Sequence, residues 1–265
     1  MAMNSWLGLE SCVCVVTGAA GGIGSAVAEA LVDAGARVAL VDISADRCDE
    51  LRRHLAGRGG EVVAFGADVS IDSQVAHLAV ATERALGPCQ VLVNVPAISG
   101  RPDGLLDLSS EKFRRQLDVN LGSYLYCSQH YAHQMKSVGR GSLVHIGSIA
   151  GTFPQPRSGA YSMAKAGVSM MSRVLALELG PQGIRSNVVS PGMVRTPLSE
   201  RFYADPDLLQ RRSNFVPIGQ VGTTQQVADT VTFLASDRSS YVTGQDLAVD
   251  GGVGLTLMGL FPQPT

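Results

Sequence analysis

Aromatic side chains are scarce, at 5% of the 265 residues against 45% hydrophobic overall. A core built from such a chain is aliphatic, filled by Val, Ala and Leu rather than by rings. Long apolar runs are missing too, and none approaches the roughly eighteen residues that a bilayer-spanning helix needs. Charge of either sign is nearly balanced, and a formal net charge of −2 provides no field to gather nucleic acid or an anionic membrane. Met1 to Glu10 has neither the basic start nor the apolar stretch of a secretion signal, so a soluble cytoplasmic protein is expected. Linkers, internal repeats and low-complexity segments are absent, which points to one domain over residues 1–265.

Cysteine is sparse and oddly numbered, with Cys12, Cys14, Cys48, Cys89 and Cys127 scattered through apolar runs. That excludes a disulfide framework. Cys12 and Cys14 alternate on one strand face, but no second Cys/His pair follows at ligand spacing, so they read as packing residues. His130 and His133 share a helix face without a carboxylate motif nearby, which suits a surface or subunit contact. No metal site is expected.

What is present is alternation. Short apolar runs at 13–17, 37–41, 61–65, 91–93, 142–146, 185–189 and 245–249 read as strands buried on both faces. Between them, helical periodicity covers 25–34, 44–56, 70–86, 107–138, 159–179 and 223–234, with Ser44 an N-cap and Thr223 with Gln226 a capping box. Strand and helix in strict turn predict an α/β fold, a doubly wound parallel sheet of Rossmann-like type with helices on both faces. Residues 197–216 form a polar, Arg-bearing segment expected to act as a substrate lid, anchored by Phe202, Tyr203 and Phe215. Arg201, Arg211 and Arg212 in it are more ordinary as solvated side chains than as anion receptors. The apolar stretch from Val253 in the tail 253–265, with Met170, Met171 and Val174, predicts buried subunit contacts.

Ligands in such sheets bind beyond the carboxyl ends of the strands. After the first strand comes Gly18-Ala19-Ala20-Gly21-Gly22-Ile23-Gly24, opening a helix. Gly18, Gly22 and Gly24 would let the backbone approach a pyrophosphate at the helix N-terminus, with Ile23 beside it. Asp42 ends the second strand, where a carboxylate accepts hydrogen bonds from an adenosine ribose and repels a 2′-phosphate. No basic residue follows at Ile43 or lies between Gly18 and Gly24, so NAD is expected over NADP. Asp68, with Val69, is placed to meet adenine or to serve as an ordinary turn residue.

Tyr161 and Lys165 are one helical turn apart. A phenol ordinarily loses its proton near pH ~10, and an ammonium beside it would lower that value enough for base catalysis. Ser148, just past the fifth strand, would hold the reacting oxygen.

Together these segments, from about residue 11 to 252, resemble the short-chain dehydrogenase/reductase family of the compact type. By that resemblance Asn120, Ser148, Tyr161 and Lys165 match a catalytic tetrad, with Asn120 positioning a water that links Lys165 to solvent. Pro191 and Gly192, with Val194 and Thr196, match the segment that holds the nicotinamide carboxamide, and Lys165 would also bind the nicotinamide ribose. Where the family reads Asn-Asn-Ala-Gly, this chain has Asn94-Val95-Pro96-Ala97. Pro96 removes a donor there and restricts Val95, so a shifted loop is expected, with Asn94 keeping a structural hydrogen bond.

The implied reaction is reversible hydride transfer between NAD and a small secondary alcohol, such as a cyclic alcohol, diol or sugar-like compound. Its pocket would be lined by Ala150, Gln155 and Met193 along with Ser148 and Tyr161. The resemblance implies a homotetramer, with a dimer not distinguishable. The alternatives are an NADPH-dependent reductase of a ketone or 3-oxoacyl thioester, which Asp42 disfavours, and a noncatalytic nucleotide-binding regulator.

Overall fold

The computed structural model describes residues 6–99, 104–197, 199–200 and 203–260. Seven parallel strands form one sheet: β1 (Val13–Thr17), β2 (Arg37–Asp42), β3 (Val62–Gly66), β4 (Val91–Asn94), β5 (Gly141–Ile146), β6 (Ile184–Pro191) and β7 (Asp246–Val249). Their order is β3-β2-β1-β4-β5-β6-β7, so the direction of winding reverses between β1 and β4. That reversal opens a crevice at the carboxyl ends of these two strands.

The helices are α1 (Gly22–Asp33), α2 (Ala45–Leu55), α3 (Asp72–Leu86), α4 (Ser110–Leu117), α5 (Ser123–Val138), α6 (Tyr161–Leu179), α7 (Pro206–Asn214) and α8 (Thr224–Ala235). Alternate residues of β1 serve opposite cores, as the pleat requires. Cys14 and Val16 pack with α1, α2 and α8 on one face, and Val13 and Val15 pack with α3, α5 and α6 on the other. All five cysteines are free and buried, with Cys12 and Cys14 on the same face of the sheet.

Several boundaries depart from the periodicity. The pattern over 107–138 is not one helix, because α4 and α5 are separated by a wider π-type turn, Asp118–Gly122, that carries Asn120. The backbone stays helical through that turn, with no break between α4 and α5, so the sequence pattern reads as one helix. α1 starts at Gly22, inside the glycine loop, and α3 starts at Asp72 because Ser70 is held in a turn by Asp68, whose Oδ1 accepts from Ser70 N at 3.0 Å and Ser70 Oγ at 2.6 Å. Thr223 and Gln226 make both bonds of the capping box at α8, whereas Ser44 precedes α2 without a side-chain cap. Met171, expected on the outer face of α6, packs against the core instead, while Met170, Val174 and Leu177 stay exposed.

The lid segment contains α7, started by Asp205, whose Oδ1 accepts from Asp207 N at 2.9 Å, and by Pro206 in the first turn. Tyr203 is buried, as an anchor should be, but Phe215 is 55% exposed and anchors nothing. Arg201, Phe202 and the tail beyond residue 260 lie outside the described residues. No described helix is long and apolar enough to cross a membrane.

Gly24 is the tightest point of the nucleotide-type loop: a Cβ there would lie 2.1 Å from Gly18 O. Neither neighbour is a flexible side chain that can move aside. Gly24→Ala is therefore expected to lower unfolding stability by about 1–3 kcal/mol, measured by urea titration, and a variant as stable as the wild type would refute this packing.

Candidate active site

The crevice holds a cavity of about 560 Å³. Its floor is the glycine loop. Gly18 has φ +67°, and a Cβ on it would stand 2.9 Å from Pro96 N; a Cβ on Gly22 would stand 2.8 Å from Pro197 Cδ. The loop is thus pressed between the segment after β4 and the segment after β6, and only backbone fits there. Gly18, Gly22 and Ile23 line the cavity, as do Pro191, Gly192, Val194 and Thr196 opposite them. Gly24 is not on the lining, because its place is behind the loop against Gly18. Val95, Pro96 and Ala97 all face the cavity, so the atypical segment remains part of its wall.

At one end stand Asp42, Asp68 and Val69. Asp42 braces the loop, with Oδ2 accepting from Ala20 N at 3.1 Å and Oδ1 from Ser44 N at 3.2 Å. Burial pushes the Asp68 carboxyl up, but hydrogen bonds from Ser70 and the Arg115 guanidinium outweigh it and leave the net shift downward. Two basic cavity residues escaped the sequence reading: Arg47, which donates to Ala20 O, and Arg115, which bonds Ser70 Oγ at 2.7 Å and Asp68 Oδ2 at 3.3 Å. Arg47 was legible in principle as a basic residue in the first turn of α2, close after Asp42. Ile43 and the residues from Gly18 to Gly24 are not basic, but these two arginines bring positive charge to this end of the cavity from outside that stretch.

At the other end Ser148, Tyr161 and Lys165 converge on the cavity. The first turn of α6 carries Tyr161, and one turn on, Lys165 is 1% exposed, its Nζ donating to Ile146 O at 2.8 Å and to Tyr124 OH at 3.0 Å. Nζ lies 5.8 Å from the centre of the Tyr161 ring. Burial holds the Lys165 pKa down to about 7. Burial also pushes the Tyr161 phenol above its ordinary range, with the Ser148 hydroxyl pulling the other way. The burial that brings the pair together desolvates both charged forms, and the lysine's bonds go to neutral oxygens.

Other expected site residues lie off the cavity. Asn120 is buried with both ends of its amide on one residue, Oδ1 accepting from Ile98 N at 2.8 Å and Nδ2 donating to Ile98 O at 3.0 Å. Its side chain clamps the loop after β4. Asn94 is a buried strut, its Oδ1 accepting from Thr17 Oγ1 at 3.2 Å and its Nδ2 reaching His145 Nδ1 at 3.1 Å. Ala150 is buried behind Ser148, giving its N–H to Ser148 Oγ at 3.1 Å. Gln155 is exposed and tied through its backbone N to Ser162 Oγ at 3.1 Å. Met193 faces a separate cavity of about 360 Å³. His130 does meet a carboxylate, Asp72 Oδ1 at 2.8 Å, correcting the view that none was near. Among the described residues no cluster of His, Cys, Asp or Glu could hold a metal.

Comparison with known proteins agrees on the kind of molecule. Residues 18–254 match the family model described as enoyl-(acyl carrier protein) reductase. The chain is 37% identical to cis-4-hydroxycyclohexanecarboxylate dehydrogenase of Sinomonas cyclohexanicum over 240 residues, 91% of this chain and 95% of that protein. It is 32% identical to 2,3-dihydro-2,3-dihydroxybenzoate dehydrogenase of Bacillus subtilis (strain 168), over 94% of this chain and 98% of that one. The crystal structure of gox2181 superposes with TM-score 0.90 at 32% identity, covering 96% of this chain and all (100%) of the other.

His145 offers a test of the buried polar layer beneath the site. It is completely buried between Asn94 and Ser186, whose Oγ is 3.3 Å from Nε2, and burial with the nearby Lys165 charge holds its pKa down to about 3. A histidine depressed in the fold contributes stability that is complete above its unfolded value of about 6.5 and is lost as pH falls toward the folded one. Between those limits His145→Gln is expected to flatten the acid loss of stability by up to about 1.4 kcal/mol per pH unit. Parallel stability curves for the two proteins would show that His145 is charged inside the fold.

Proposed function

Because the chain belongs to the short-chain dehydrogenase/reductase family, we propose that it is an NAD-dependent dehydrogenase of a secondary alcohol borne on a small cyclic, diol or sugar-like compound. The observation that carries this reading is one crevice with a backbone cradle and Asp42 at one end and Ser148, Tyr161 and Lys165 at the other. The cradle passes a simple test of fit, since side chains on Gly18 or Gly22 would collide with its walls and α1 begins inside it. Asp42 would take the adenosine ribose, Asp68 and Val69 the adenine, and Pro191, Gly192, Val194 and Thr196 the nicotinamide side. When bound, the nicotinamide ring supplies a hydride acceptor.

The chain's own residues manage the proton and the orientation. Ser148 holds the substrate oxygen, Tyr161 as phenolate takes the hydroxyl proton, and Lys165 supplies the positive charge that makes a phenolate tolerable in a buried site. Asn120 acts at one remove by fixing Ile98 in the cavity wall. The relatives named as dehydrogenases of a hydroxycyclohexane carboxylate and a dihydrodiol favour a ring-borne alcohol. The exposed apolar positions Met170, Val174 and Leu177 on α6 favour a homo-oligomer, a tetramer by family likeness. The competing reading, an NADPH-dependent reductase of a 3-oxoacyl thioester, draws on Arg47 beside Asp42 in the cavity; relative rates with the two dinucleotides separate them, and faster turnover with the phosphorylated one would reject NAD dependence.

A panel of cyclic secondary alcohols, diols and polyols with NAD⁺, followed at 340 nm, is expected to yield turnover that Tyr161→Phe reduces by roughly 10²–10⁴-fold while NAD binding persists. Near-normal turnover in that variant would remove Tyr161 from the chemistry. The base must be deprotonated for oxidation, and its phenol is shifted upward, so the rate rises with pH above neutrality and is lost as pH falls. Ser148→Ala removes the bond that lowers the phenol, and the rise is expected to move to higher pH. A profile that stays in place or moves lower would contradict that role for Ser148.

A further inference from the structure

Tyr124 belongs to none of the motifs that identified the site, yet its hydroxyl joins three elements of it. The side chain is fully buried near the start of α5, four residues after Asn120. Its oxygen accepts from Lys165 Nζ of α6 at 3.0 Å and lies 3.1 Å from both Ile146 O at the end of β5 and Pro96 O in the segment after β4. One phenolic proton serves the two carbonyls, leaving a lone pair for the lysine. The ring also stands beneath the ammonium, with Nζ 4.8 Å from its centre.

The groups around Lys165 leave little else to stabilise its charge. Tyr161 faces it from its own helix, Tyr124 from α5 with Cys127 behind, and His145 from β5, its ring 5.9 Å from that of Tyr124. His145 stays neutral above a pKa of about 3, and burial pushes the Cys127 thiol far up, so neither carries charge near neutral pH. Burial alone accounts for the lowered pKa of Lys165, with no carboxylate opposing it. What favours the ammonium is then two acceptors, Ile146 O and Tyr124 OH, with the Tyr124 ring beneath it. Only the second is a side chain that substitution can remove.

We infer that Tyr124 is a positioning residue that holds the Lys165 ammonium through its hydroxyl and thereby sets the proton affinity of the Lys165–Tyr161 pair. The consequence for turnover rests on the alcohol dehydrogenase reading, but the effect on Lys165 does not. Tyr124→Phe keeps the ring beneath Nζ and deletes the hydroxyl, which removes the acceptor for Lys165 together with the proton shared by Ile146 O and Pro96 O, so the neutral amine gains relative to the ammonium. A lysine that loses its proton sooner supports the Tyr161 phenolate less, and oxidation then needs a higher pH.

The chain has three lysines, Lys112, Lys136 and Lys165, and the first two are exposed. Lysine labelled with ¹³C at the ε carbon therefore gives three resonances in the full protein, of which Lys165 alone should titrate near neutrality. Its midpoint, about 7 in the wild type, is expected to fall by about one pH unit in Tyr124→Phe. The pH profile of alcohol oxidation should move upward in the same variant. A merely structural tyrosine would lower stability and leave the midpoint where it was, and an unmoved midpoint overturns the inference. If Tyr124→Phe fails to fold, nuclear Overhauser contacts between the Lys165 ε-methylene and the Tyr124 ring in the wild type decide, and their absence overturns it equally. Absence of wild-type turnover on the whole alcohol panel would reject the dehydrogenase reading, while the lysine titration still judges Tyr124.

Discussion

A parallel sheet covered on both faces leaves its central strands without a solvated side, so a polar group inside must be bonded or driven to a strand end. This constraint organises the molecule. β1 carries no exposed residue along its length, and the chemistry-bearing groups gather beyond the carboxyl ends, where the reversal between β1 and β4 opens a crevice. Five of the buried polar side chains form a bonded series, Thr17 to Asn94 to His145 to Ser186 to Ser172, and others are bonded separately. Lys165 is the costliest of them. It is held by Ile146 O and Tyr124 OH rather than by a counter-ion.

The same desolvation acts on function. It holds the lysine near a neutral titration point and pushes the phenol the other way, so two groups with nearly equal ordinary proton affinities are driven apart. Pairs of this kind titrate as a unit. Hydrogen bonds from Ser148 and to Tyr124 then become the adjustable parts of the site. Asn120 and Asn94 serve it structurally: one amide clamps Ile98 and the other ties β1 to β5, which keeps the wall of the crevice in register with its floor.

The atypical Asn94-Val95-Pro96-Ala97 segment fits into this frame. Pro96 lies against the space above Gly18, and its carbonyl meets the Tyr124 hydroxyl. A proline lacks a donor but keeps its acceptor, and that acceptor is used. The segment therefore changes which groups brace the crevice while remaining in its wall.

Much of this was written in the order of residues. Unbroken apolar runs such as 13–17 and 37–41 identify strands buried on both faces, and glycines at 18, 22 and 24 between strand and helix mark a backbone cradle, because these depend on neighbours along the chain. Ser148, Tyr161 and Lys165 were legible as a set for the same reason, each standing at a strand end or on one helix turn. What the order of residues could not supply were contacts across elements. The π-type turn around Asn120, the approach of Arg47 and Arg115 to the crevice, the withdrawal of Ala150, Gln155 and Met193 from it, and the hydroxyl of Tyr124 against Lys165 were all decided by packing. Local periodicity reports which face of an element is buried; only the tertiary structure decides which groups meet there, and their desolvation and hydrogen bonds set the chemistry.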